Sequence, residues 1–430
     1  MEMMDWWVSM PKVELHAHLN GSVRNSTLLI ILIPSFDFLH FHLLAFELRE
    51  DLTKFELYYR ELAKELGEKG IIVFSEVEHV ILKNDRSLTE VFKLFDLIHI
   101  LTTDHATVTR ITKEVVEDFA AENVVYLELR TTPKRNDSRG MSKRSYMEAV
   151  IEGLRKVDVF DIDFASTKNG LEEKGKSGQM IDDCVGFSRT KIYVRLLLSI
   201  DRRETLAAAM ETVKLALEMK DLGVVGIDLS GNPKVGEWIT FLPALRFARE
   251  QGLRVTLHCG EVPNQEEIHA MLDFLPERIG HACCLEEDAW RKLKNSKIPA
   301  QVPHNLSSWS GESFVVWASG LGLHITPEID SCNNLGLMGN AGLLLSIIFN
   351  FAADLYNTNH PLILCTDDTG VFSTSLSKEY AIAATAFGLG KKEMFQLART
   401  AVEYSFVEEQ VASKLKDLFD LLDKSLAYND

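Results

Sequence analysis

Short apolar runs recur along this chain, and nearly every one ends on a residue able to do chemistry. They occupy residues 13–19, 124–129, 192–199, 225–229, 254–258, 278–281 and 362–366. Between them lie segments of helical spacing. Leu88, Val91, Phe92, Phe95 and Ile98 share one face, and Val213, Ala216, Leu217 and Met219 share another. Apolar runs without alternation suit strands buried on both faces, which pair in parallel through helical crossovers. A doubly wound open sheet would satisfy the same pattern. The polar residues favour an α/β barrel, because they gather at the C-terminal ends of the strands, where (β/α)8 TIM barrels build their sites.

At 430 residues the chain can hold one large barrel with insertions, or two or three ordinary domains. We expect a single domain over 1–430, with atypical insertions at about 30–60 and 300–351. The first interrupts what reads as one helix, 26–29 continuing into 61–67. The second, rich in Ser, Gly and Asn, stands where the seventh strand belongs, so the expected barrel has that strand region disrupted. Residues 301–303, 322–326 and 343–348 are the candidates to fill it. The apolar stretch 28–46 contains Pro34, Asp37, His40 and His42, which argues against a membrane span, and 343–351 is too short to cross.

A net charge of −17 leaves no basic surface for nucleic acid. The six cysteines form no CxxC pair, and the N-terminus has no basic segment ahead of an apolar one. The expected setting is the cytosol, without nucleic-acid or membrane partners and as a monomer.

His16 and His18 end the first run. Positions i and i+2 of a strand share a face, so both imidazoles can meet one metal. His258 ends the fifth run and is followed by Glu261; His281 ends the sixth; Asp367 and Asp368 follow the last. Each alone reads as a strand-end residue or a helix cap. Together, at four strand ends, histidines and a carboxylate suit Zn2+ with one position left for water. The cytidine-deaminase signature, HxE with PCxxC, is absent.

The segments HAHLNGS, SGNP, HCGE, GHA and CTDD, in this order, resemble the adenosine deaminase superfamily over residues 6–29, 61–297 and 352–410. The resemblance implies a metal-dependent hydrolase barrel with one zinc on His16, His18, His258 and Asp367. It also makes Glu261 the proton donor to the purine ring and His281 the group that orients and deprotonates the attacking water. Asp368 would hold the purine, and Gly231 would offer it backbone.

Asn20 stands where adenosine deaminases proper carry an acidic residue; an aspartate there would repel a 5′-phosphate that a neutral amide tolerates. Thr131, Thr132, Pro133 and Lys134 follow the second strand with two hydroxyls, backbone amides and an ammonium, a plausible phosphate cradle. Together these resemble the N6-methyl-AMP deaminase subgroup. That implies a purine nucleoside monophosphate as substrate, with His18, His99, Asp201 and Glu261 also lining its site. Three alternatives stay open at this point: a deaminase for another 6-substituent, an inactive relative lacking the seventh strand, and a zinc hydrolase of some other amide.

Overall fold

The computed structural model describes residues 2–31, 94–95, 98–99, 101–165, 191–303 and 354–424. Nine parallel strands form one sheet: β1 Lys12–His18, β2 Val124–Thr131, β3 Asp161–Asp163, β4 Lys191–Asp201, β5 Val224–Ser230, β6 Arg254–Cys259, β7 Arg278–His281, β8 Ala300–Pro303 and β9 Leu362–Cys365. Eight run in the order β1-β2-β4-β5-β6-β7-β8-β9, and β3 pairs outside that path with the start of β4. Beyond β9 the ring closes: the Asp367 amide donates to His16 O at 2.8 Å and the His18 amide to Asp367 O at 2.9 Å. The result is a (β/α)8 barrel.

The expected gap at the seventh position is filled by β8. Ala300, Gln301 and Val302 are fully buried, and the strand pairs with β7 through Ile279↔Ala300 and with β9 through Ala300↔Leu362 to Pro303↔Cys365. The tract that reads as foreign therefore begins after the strand. β8 escapes the apolar-run pattern because it is four residues long and carries Gln301. Inside the barrel that amide is satisfied: Nε2 donates to Leu15 O at 2.6 Å, and Oε1 accepts from Thr256 Oγ1 at 3.3 Å. The other two candidate strands, the bulk of both insertions and most of the 88–98 helix lie outside the described residues.

Helices alternate with the strands. The chain enters through α1, Glu2–Ser9, and α2, Asn25–Ile31, follows β1. α3, His105–Ala121, starts at Asp104, whose carboxylate accepts from the Thr107 amide at 2.9 Å. α4, Lys143–Arg155, opens on a capping box between Ser142 and Ser145. Such caps satisfy the orphan amides of a first turn. α5, Leu206–Glu218, buries the expected Val213 and Ala216 against the sheet. At the barrel bottom Lys12 donates its ammonium to the carbonyls of Trp7 and Met10, closing the end of α1.

Candidate metal and nucleotide site

β1, β6 and the turn after β9 bring four side chains to one point. His16 Nε2 lies 3.2 Å from His258 Nε2, and His18 Nε2 lies 3.0 Å from the same atom. Asp367 Oδ1 is 3.3 Å from His16 Nε2 and 3.4 Å from His18 Nε2. A tetrahedral zinc bound at about 2.0–2.2 Å needs neighbouring ligand atoms roughly 3.3 Å apart. The set fits a metal in spacing and in donor type. Burial holds His16 well below the imidazole range and His18 at about 3, while at His258 burial is outweighed by the Asp228 carboxylate, which raises it. Neutral imidazoles are what a metal requires.

The sheet makes room for this convergence. A side chain at Gly280 on β7 would strike the His16 ring. Asp367 and His281 both hold left-handed backbone, φ 62° and 65°, which non-glycine residues rarely adopt. Asp367 is kept there by its two hydrogen bonds to β1. Next to His281, the Ala282 amide donates to Cys259 O at 2.8 Å. Strain of this kind concentrates where a fold must aim a side chain.

Around the four lie the proton-transfer candidates. Glu261 Oε1 is 3.9 Å from His281 Nε2. Burial pushes the Glu261 carboxyl up to about 7, His258 opposing and Asp367 adding to the rise. Glu261 can therefore carry a proton near neutral pH. Burial holds His281 at about 3, and both of its ring nitrogens are buried without a protein hydrogen bond among the described residues. An imidazole so placed is open to water. Asp368 is buried with Oδ1 unpartnered among the described residues, and burial, then the Asp367 and Glu261 carboxylates, push it well above the usual range. Its carboxyl faces Gly21, where any side chain would collide with it. Gly231 follows β5 at φ 102°, and a side chain there would press on Asp201 Oδ1.

The other expected residues gather at a second end of the site. Asn20 and Thr131 are buried, and both reach the Tyr146 hydroxyl. Thr132 and Pro133 continue the loop, and the Lys134 ammonium donates to Thr102 Oγ1. Burial lowers Lys134 to about 7, Arg203 adding to the fall and Asp201 opposing it. His99, helical as expected, feels Lys134, Arg203 and Asp201, and burial with the two cations lowers it to about 4. Asp201 takes a fork from Arg203, with contacts of 2.7–3.1 Å.

Sequence reasoning missed three supports. Asp228, fully buried on β5, lies 3.2 Å from His258 Nδ1 and accepts from Ser199 Oγ at 2.8 Å and Arg130 at 2.9 Å. A carboxylate behind a ligating histidine fixes its tautomer and orientation. Arg130 also donates to Leu15 O at 2.7 Å. Glu14 accepts from the His16 amide at 2.7 Å and from the Thr366 amide and hydroxyl, both at 2.9 Å, tying β1 to β9 beside the ligands. Glu14 and Asp228 are charged residues set inside apolar runs and Arg130 stands one residue past its run, an anomaly that the sequence does carry.

The adenosine deaminase family model matches residues 72–319 and 352–422. The chain belongs to the adenosine deaminase family. Residues 320–351, which the model leaves out, lie within the expected second insertion. The chain is 56% identical to the N6-mAMP deaminase of Arabidopsis thaliana, over 97% of this chain and 98% of that one. It is 30% identical to the human N6-methyl-AMP deaminase, over 96% and 93%. Among solved structures, an ADAL–IMP complex is similar at 53% identity and a TM-score of 0.75, covering 98% of this chain and 100% of that one. The apo N6-methyl-AMP deaminase from Arabidopsis thaliana gives 52% and 0.74 over the same shares. This chain is thus a hydrolytic deaminase of a metal-dependent family. None of its described helices is long and apolar enough to cross a membrane.

Proposed function

We propose that this chain hydrolyses N6-methyl-AMP to IMP and methylamine, using one zinc held by His16, His18, His258 and Asp367. The observation that carries the chemistry is the pairing of a protonatable Glu261 with an unpartnered His281 beside that ligand set. Zinc bound there would supply an attacking water with a pKa near ~7. His281 takes the proton from that water and orients it toward C6 of the purine. Glu261 gives its proton to N1 as C6 becomes tetrahedral, so the ring does not have to carry a negative charge. Methylamine then leaves from C6 with the proton that His281 took, and the hydroxyl left on C6 returns its proton to Glu261 as it becomes the 6-oxo group of IMP. Asp368, a neutral acid, donates to the purine ring, and Gly231 offers it backbone where no side chain fits.

The choice of a monophosphate rests on the other end of the site. Asn20 brings no charge, and Thr131, Thr132 and Lys134 bring donors on the loop that Pro133 shapes, with His18, His99 and Asp201 completing the nucleotide site. The named relatives support the same reading. It carries with it one barrel domain over 1–430 with insertions at about 30–60 and from the end of β8 to about 351, acting in the cytosol as a monomer.

The test measures zinc per chain and release of methylamine and IMP from N6-methyl-AMP on one purified sample. One zinc with turnover is expected. Glu261→Gln is expected to keep that zinc and lose turnover by about 10²–10⁴-fold. Loss of zinc in this variant, or retained turnover, defeats the assignment. A preference for the nucleoside over the monophosphate defeats the substrate.

A further inference from the structure

Behind the loop that carries Thr131 stands a buried hydroxyl with no role in the chemistry above. Tyr146, on α4, is fully buried; its Oη lies 2.8 Å from Thr131 Oγ1 and 3.3 Å from Asn20 Nδ2. It thereby joins the end of β2, the turn after β1 and the crossover helix between β2 and the next strand. We propose that Tyr146 is a positioning residue that couples Asn20 to Thr131 and makes the Thr131 hydroxyl the proton donor to the substrate's 5′-phosphate. The proposal rests on the monophosphate reading of the substrate.

The argument is a count of protons. A phenol has one proton to give and lone pairs to receive. Asn20 Nδ2 donates to Tyr146 Oη, so that oxygen is already an acceptor on one side. Either oxygen can donate across the 2.8 Å contact between Tyr146 Oη and Thr131 Oγ1, and we assign the proton of that contact to the tyrosine. Thr131 Oγ1 is thereby an acceptor toward Tyr146, and its own proton is turned away from the tyrosine. A phosphate oxygen, which can only accept, is the partner for that proton. Burial pushes the Tyr146 phenol up, so it keeps the proton on which the chain depends.

The same count limits Asn20. One of the two Nδ2 hydrogens is committed to Tyr146, and the acceptor Oδ1 is buried and without a protein partner among the described residues. An acceptor suits a hydroxyl, such as one of the ribose, and repels a phosphate oxygen. On this reading Asn20 tolerates the phosphate by lacking charge, while Thr131 and Lys134 bind it. Without Tyr146 both ends of the chain lose a partner in a buried setting, where an unmade hydrogen bond is costly.

The experiment compares kcat and KM for N6-methyl-AMP and N6-methyladenosine in the zinc-loaded protein, using wild type, Tyr146→Phe, Thr131→Val and the double variant. Tyr146→Phe is expected to raise KM for the monophosphate about tenfold, to move kcat by less than about twofold, and to leave the nucleoside unchanged. The double variant is expected to be no worse than Thr131→Val alone, because the tyrosine acts through the threonine. Equal losses on both substrates, or additive losses in the double variant, overturn the proposal and leave Tyr146 a structural residue. A wild type that does not discriminate between the substrates overturns the monophosphate reading instead. A discriminating wild type whose Tyr146→Phe variant keeps the same ratio between the two substrates overturns the coupling alone. If Tyr146→Phe does not fold, a cycle of Asn20→Ala and Thr131→Val decides on the intact tyrosine. Non-additive loss of discrimination supports the coupling, and additive loss defeats it.

Discussion

Glu128 and Arg130 stand two residues apart on β2, so both project into the barrel, and each enters a fully buried ion pair of a different kind. Arg130 meets Asp228, which in turn faces the His258 ring. Glu128 meets Arg278, and that pair faces the other way. Arg278 donates to Tyr404 O at 2.7 Å and lies over the Phe406 ring, while Glu128 accepts from Tyr126 Oη and from the Phe406 amide. The upper pair connects the strands to a metal-site histidine. The lower pair connects them to the segment that leads into the last helix, Glu409–Asp423. Burial and charge are the same in both, so neither by itself marks function. What differs is the third partner.

Breaking the lower pair is the largest expected effect. Glu128→Ala leaves the Arg278 guanidinium in the barrel interior without its carboxylate, a loss of about 3–5 kcal/mol in unfolding free energy. Chemical denaturation of the zinc-loaded protein measures it, with metal content and KM unchanged in the fraction that folds. Should Glu128→Ala lower metal affinity while stability holds, the division of labour between the two pairs is wrong.

Breaking the upper pair moves a different quantity. Asp228→Ala removes the carboxylate behind His258 Nδ1, and loss of such a partner weakens metal binding by about 10–100-fold. Competition with a chelator reads this directly, without needing turnover. The variant also strands Arg130, so its stability falls too; Asp228→Asn, which keeps the shape and an acceptor, restores part of both. Metal affinity equal to wild type in Asp228→Ala would reduce the upper pair to a second copy of the lower one.

The barrel and the cluster of His16, His18, His258 and Asp367 were legible because two kinds of pattern coincide at the strand ends. Strands covered on both faces read as unbroken apolar runs, and β1, β2, β4, β5, β6, β7 and β9 all appear within a few residues of their bounds. Polar residues then stop each run where the barrel opens. The supports were less visible: Glu14 and Asp228 lie inside runs and Arg130 stands just past the end of one, where a single charge looks like noise until its partner on another strand is known. Arg130 meets Asp228 across 98 residues of chain. No local window contains both. β3 was missed because it is three residues long and none of them is fully buried, so it leaves no hydrophobic signature.

A third cation sharpens the contrast with the two arginines. Arg130 and Arg278 each have a buried carboxylate partner. Lys134 has the Thr102 hydroxyl as its hydrogen-bond partner, while the nearby Asp201 carboxylate is forked by Arg203. Burial and Arg203 set Lys134 at about 7, Asp201 and the neutral His99 being its other titratable neighbours. The sign follows. A lysine whose pKa is lowered is an ammonium below that value and a neutral amine above it, so its hold on a phosphate is present at pH 6.5 and lost as pH climbs through 7. The phosphate itself becomes a dianion only above a pH of about 6. The ratio of kcat/KM for the monophosphate to that for the nucleoside isolates this end of the site, because the Glu261 and metal-site titrations are common to both substrates. That ratio is expected to fall about fivefold between pH 7 and pH 8, following the ammonium fraction of a group with pKa about 7. Lys134→Arg, which holds its charge throughout, is expected to flatten the fall. A ratio that is already flat in the wild type would mean that the Thr131 hydroxyl and the loop amides hold the phosphate without the lysine's charge.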